Sequence, residues 1–99
     1  MTGGRKRRKN RNRSEPYRRL AIALTMDFGV LVLIRFNRTS RRFTCIWGEG
    51  PEEEAMRKRA ADYVGSIPQL ELDGVVWVRS GELLAAVNQV GVSLVSGMW

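Results

Sequence analysis

Apolar side chains recur at every even position from Leu20 to Phe36: Leu20, Ile22, Leu24, Met26, Phe28, Val30, Val32, Ile34 and Phe36. The intervening odd positions are Ala21, Ala23, Thr25, Asp27, Gly29, Leu31, Leu33, Arg35 and Asn37. Alternation with period two is the signature of extended chain, whose successive side chains point to opposite faces. With Asp27-Phe28-Gly29 supplying turn chemistry at its middle, the pattern predicts two strands joined by a tight hairpin. The second of them, Val30–Phe36, is apolar on both faces at Leu31 and Leu33, which predicts a central or covered strand. RRFTCIW, residues 41–47, predicts a third, closed by Gly48-Glu49-Gly50.

Beyond Gly50 the period changes. Pro51 suits the first position of a helix, and Glu52, Glu53 and Glu54 face the positive end of its dipole. Met56, Ala60, Tyr63 or Val64, and Ile67 fall on one helical stripe, and Glu53–Arg57 and Glu54–Lys58 have the spacing of ion pairs. Gly65 and Pro68 end it. ELDGVVWVR (71–79) predicts a strand at Val75–Arg79. Ser80 then caps a short helix over Gly81–Val90, packing through Leu83, Leu84 and Val87. The final VSLVSGMW carries only a weak strand pattern. The expected fold is α+β: a small antiparallel sheet in the order βββαβα, with helices on one face.

Charge divides the 99-residue chain in two. Residues 1–19 hold nine cations (Arg5, Lys6, Arg7, Arg8, Lys9, Arg11, Arg13, Arg18 and Arg19) and one acid, Glu15. The other 80 residues carry eight basic and nine acidic groups, so the first segment is +8, the rest −1 and the whole chain +7. This predicts a disordered arginine-rich arm over residues 1–16 and a small domain over 17–99. A dense run of one sign is the electrostatic footprint of a polyanion binder. Arginine outnumbers lysine fourteen to three. Its planar fork fits phosphate and base edges, although codon bias yields the same excess.

A second basic stretch, RFNRTSRRF (35–43), places Arg35, Arg38, Arg41 and Arg42 around a strand connection flanked by Phe36 and Phe43. Such a tip can follow phosphates and stack on bases. Phe36 shares the apolar parity and is expected in the core.

Other chemistry is sparse. The chain has no histidine, which removes the commonest general base and the usual zinc ligand. Its single cysteine, Cys45, excludes an internal disulfide and reads as a small core side chain. Helix-start electrostatics account for the three glutamates without a metal, and no cofactor is expected. Asn37-Arg38-Thr39 matches a glycosylation sequon by chance. The apolar run from Leu20 to Ile34 is too short to span a bilayer as a helix and carries Asp27 at its centre, which argues against membrane insertion.

Residues 4–13, GRKRRKNRNR, resemble the arginine-rich segments of viral and phage RNA-binding proteins. That resemblance covers ten residues and is compositional. It identifies no family; with the charge split and the absence of histidine, the expectation is a small, non-enzymatic, nucleic-acid-binding accessory protein acting inside the cell, with RNA favoured over DNA because short arginine-rich arms suit irregular RNA. In a eukaryotic cell the same run would also serve as a nuclear or nucleolar address. Two alternatives carry the same residues: a protein-interaction module whose arm is only a nuclear localisation signal, and a membrane-associated protein whose arm lies on anionic headgroups. A doubly apolar strand and an apolar C-terminus would suit a homodimer.

Overall fold

In the computed structural model residues 13–87 are described, and they form an α+β fold with the order αββαβα. Helix α1 spans Glu15–Phe28, strand β1 Val32–Asn37 and β2 Arg42–Trp47. Helix α2 spans Glu53–Ala61 and strand β3 Val76–Arg79. A third helix, α3, begins at residue 81 and continues to 87, where the description ends. The expected end of that helix and the weak VSLVSGMW strand lie outside the described residues.

The first expected strand is therefore a helix. Glu15 in the first turn and Pro16 at its start favour helix entry, and both belong to α1, not to the arm. Gly29, left-handed at φ 68°, ends the helix with its N–H bonded to the Thr25 carbonyl. Besides Pro16, α1 buries Tyr17, Leu20, Ala21 and Leu24, a stripe of helical period hidden inside the alternation. Ile22 and Met26, which share the even parity, are left 55% and 78% exposed. Alanines at odd positions made this ambiguity possible, since they fit a helix flank as readily as a strand face.

β1 and β2 form the expected hairpin, pairing from Val32↔Trp47 to Asn37↔Arg42. β3 pairs with β2 in parallel, Thr44↔Val76 to Trp47↔Arg79, so the three-stranded sheet is mixed. A parallel return needs a long crossover. Residues 48–75, with α2 and a run of turns, provide it. In the order β1-β2-β3 the central strand is β2, and β1, expected to be central or covered, is an edge.

Opposed residues in a ladder share a face. Val32, Ile34, Cys45 and Trp47 thus face the same way, and they join Tyr17, Leu20, Leu24, Met56, Ala60, Ile67 and Leu70 in one core. Trp47 is fully buried, and its indole N–H donates to the Pro51 carbonyl at 2.8 Å. That bond fixes the exit from β2. Pro51 consequently precedes the helix, which starts at Glu53 after Glu52. Of the anticipated α2 ion pairs, Glu53–Arg57 forms at 3.5 Å and Glu54–Lys58 does not. The helix ends at Ala61, short of the expected Gly65 and Pro68; Val64 is exposed, and Tyr63 and Ile67 of the expected stripe pack against the core from the turns that follow. The Ser80 hydroxyl accepts the Leu83 N–H at 3.2 Å, the cap expected for α3.

Candidate nucleic-acid interface

Chain direction decides where the arm leaves the body. α1 meets the start of β1 at its C-terminal end, where the Thr25 hydroxyl accepts the Val32 N–H at 3.0 Å and donates to the Ala21 carbonyl at 2.8 Å. Its N-terminal end therefore lies beside the β1–β2 hairpin. There the Tyr17 ring stacks on Phe43 at 3.7 Å between centroids, and Phe36 meets Phe43 edge-on at 5.1 Å. Phe36 is 37% exposed, not a core residue as its parity suggested. At the far end of β1 the fold covers Val32 and Ile34; at the hairpin end the helix has run out.

The hairpin loop, residues 38–41, is held from within. The Asn37 side-chain oxygen accepts the N–H groups of Thr39 at 2.9 Å and Ser40 at 3.2 Å. The Arg41 N–H donates to the Asn37 carbonyl at 2.7 Å. Closing the loop this way puts Arg41 at φ 58°, a left-handed conformation uncommon for a side chain of its size.

Arg38 and Arg41 occupy the exposed tip. Arg35 lies opposite Thr44, and Arg42 opposite Asn37. Alternation therefore sends Arg35 and Arg42 to the sheet face away from Phe36 and Phe43. The aromatic residues share one end of the molecule with the four arginines, but not the sheet face of Arg35 and Arg42.

Arg13, the first described residue of the arm, lines a pocket of about 270 Å³ with Tyr17, Phe43, Gln69 and Glu71. Arg18 pairs with Glu15 at 3.5 Å, and Arg19 is exposed on α1. Arg5, Lys6, Arg7, Arg8, Lys9 and Arg11 lie outside the described residues. Among the described residues, ion pairs engage Arg18, Arg57, Arg59 and Arg79, and none engages Arg13, Arg19, Arg35, Arg38, Arg41 or Arg42. Glu49, Glu52, Glu53 and Glu54 follow the opposite end of β2, about 17–20 Å away along the strand. Arg57, Arg59 and Arg79 pair away from the hairpin tip, whereas Arg18 pairs with Glu15 at the root of the arm.

The residues that sequence reasoning did not single out are Tyr17, Gln69 and Glu71. Tyr17 carried a signal, because it extends the Leu20–Leu24 stripe by one helical step. Gln69 and Glu71 carried none. A turn-rich crossover brings them to the hairpin end, where the Tyr17 hydroxyl donates to the Glu71 carbonyl at 3.0 Å and accepts its N–H at 3.2 Å.

Perturbed titrating groups lie elsewhere. Hydrogen bonds from Arg59, at 2.9 Å, and from the Tyr63 hydroxyl hold the Asp27 carboxyl below its ordinary value. These groups tie the end of α1 to α2 and the turn after it. Burial pushes the Cys45 thiol up to about 12, which keeps it protonated and unreactive. Among the described residues no group of histidine, cysteine and carboxylate side chains could hold a metal, and no helix is long and apolar enough to cross a membrane. Comparison of the chain with protein-family models, with curated proteins and with solved structures finds no match.

Proposed function

We propose that this chain is a small, non-enzymatic nucleic-acid-binding protein that prefers RNA. The arginine-rich arm supplies salt-dependent affinity through Arg5, Lys6, Arg7, Arg8, Lys9, Arg11 and Arg13. The hairpin tip adds Arg38 and Arg41, with Arg35 and Arg42 beside them. The observation that carries this reading is the direction of α1, which starts the body at its hairpin end, so that Arg13 and Phe43 border one pocket. Two basic segments 25 residues apart in sequence then act on one strand of nucleic acid. RNA is favoured because exposed Phe36 and half-buried Phe43 suit unpaired bases better than a duplex groove.

Fluorescence anisotropy with single-stranded RNA, duplex RNA and duplex DNA across a salt series tests the reading. It expects the tightest binding to single-stranded RNA, and a log–log salt slope near −0.7 for each phosphate contacted. Failure to bind any of the three near physiological salt would leave the arm as an address or a solubilising tail.

A further inference from the structure

The pocket at the root of the arm has a chemistry of its own. It is smaller than the roughly 300–1,000 Å³ typical of sites for drug-sized ligands, which limits it to about one nucleobase. Tyr17 and Phe43 give it an aromatic wall, fixed because the Tyr17 hydroxyl is bonded to both backbone groups of Glu71. Among the described residues no hydrogen bond or ion pair engages the Glu71 carboxylate or the Arg13 guanidinium. A carboxylate in a phosphate-binding surface repels the backbone of its ligand, so its place there calls for a donor-rich partner. Gln69, at φ 70°, borders the same space in a conformation that glutamine seldom adopts.

We infer that this pocket reads one unpaired guanine in single-stranded RNA, an inference that rests on the nucleic-acid-binding reading above. An ionised carboxylate only accepts hydrogen bonds. Guanine alone among the four bases sets two donors, N1–H and the N2 amino group, side by side on its Watson–Crick edge. Glu71 takes that edge. Arg13 donates to O6 or N7, the acceptors that arginine recognises on guanine elsewhere. The ring lies against the Phe43–Tyr17 wall.

The test uses the full chain and octamers of uridine carrying one central guanine, adenine, cytosine or inosine, or none, followed by anisotropy at fixed salt. The guanine octamer should bind about tenfold more tightly than the others. Inosine, which lacks the N2 amino group, should lose most of that gain. Glu71→Gln should abolish the preference, bringing the guanine octamer to the affinity that the same variant shows for the all-uridine octamer. Equal affinity for all five octamers, or full retention of the preference by inosine, overturns guanine recognition but leaves RNA binding standing. A uniform loss of affinity in Glu71→Gln also overturns it. Absence of binding to every octamer at low salt overturns both.

Discussion

Arg41 offers a direct way to separate what the hairpin costs from what it does. Its backbone sits at φ 58°, where a residue with a Cβ is disfavoured by about 1–2 kcal/mol and glycine is not. Glycine also adds freedom to the unfolded chain, which returns about 0.4–1 kcal/mol of that gain. The bonds that shape the loop come from Asn37, to the N–H groups of residues 39, 40 and 41, and all survive the change. Arg41→Gly should therefore stabilise the fold by about 0.5–1 kcal/mol. For a domain of this size that raises Tm by about 2–8 °C, readable by scanning calorimetry. Arg41→Asn, whose side chain tolerates the left-handed region, should move Tm the same way by less. Both variants should reduce the salt slope of RNA binding by about 0.7, one phosphate contact. A lowered Tm in Arg41→Gly would refute the strain argument. A raised Tm with an unchanged slope would show that the arginine is kept for something other than phosphate.

The helical assignment of α1 separates two neighbours: Leu24→Ala should cost about 2–5 kcal/mol in urea unfolding, whereas Met26→Gln should stay within about 0.5 kcal/mol. A pair of strands would have penalised both. Asp27 has a folded-state pKa below its ordinary 3.8, so its contribution is present above that value and is lost as pH falls through the folded pKa. Acid should thus lower the urea midpoint of the native chain more steeply than that of Asp27→Asn. Cys45, buried and pushed up to about 12, should react with a thiol reagent only at the rate of unfolding, and labelling that is fast in native buffer would contradict its burial.

Much of the body was legible in the sequence, and the misreadings have two causes. β2, the strand connection 35–43, the presence of α2 though not its ends, and the Ser80 cap follow from local signals: aromatic alternation, a polar basic loop, glutamates near a helix start. The region before β1 failed because its period-two pattern was counted from Leu20, while the helix begins at Glu15 and its first anchor is Tyr17. Counted from Tyr17, the positions 17, 20, 21, 24 and 28 describe a helical stripe, and the even-numbered Ile22 and Met26 become the exceptions. The pairing of β3 could not be read locally. Its direction is set by how far the crossover carries the chain, and Leu70, which plugs the core from that crossover beside Ile67, belongs to no periodic pattern. The same crossover decides the site, bringing Gln69 and Glu71 to the arm from over fifty residues away.

The central claim is that arm and hairpin hold the same strand of RNA. Its most direct test measures salt slopes on a single-stranded RNA long enough to reach both, for the native chain and two full-length variants. One variant replaces Arg5, Lys6, Arg7, Arg8, Lys9 and Arg11 with glutamine; the other makes Arg38→Gln, Arg41→Gln and Arg42→Gln together. Each should flatten the slope by about 0.7 for every cation that touches phosphate. The hairpin variant should lose affinity only on RNA long enough to reach both segments, since a short oligomer engages one at a time. A hairpin variant that binds long RNA with the native slope and affinity would contradict the claim and leave the arm acting alone.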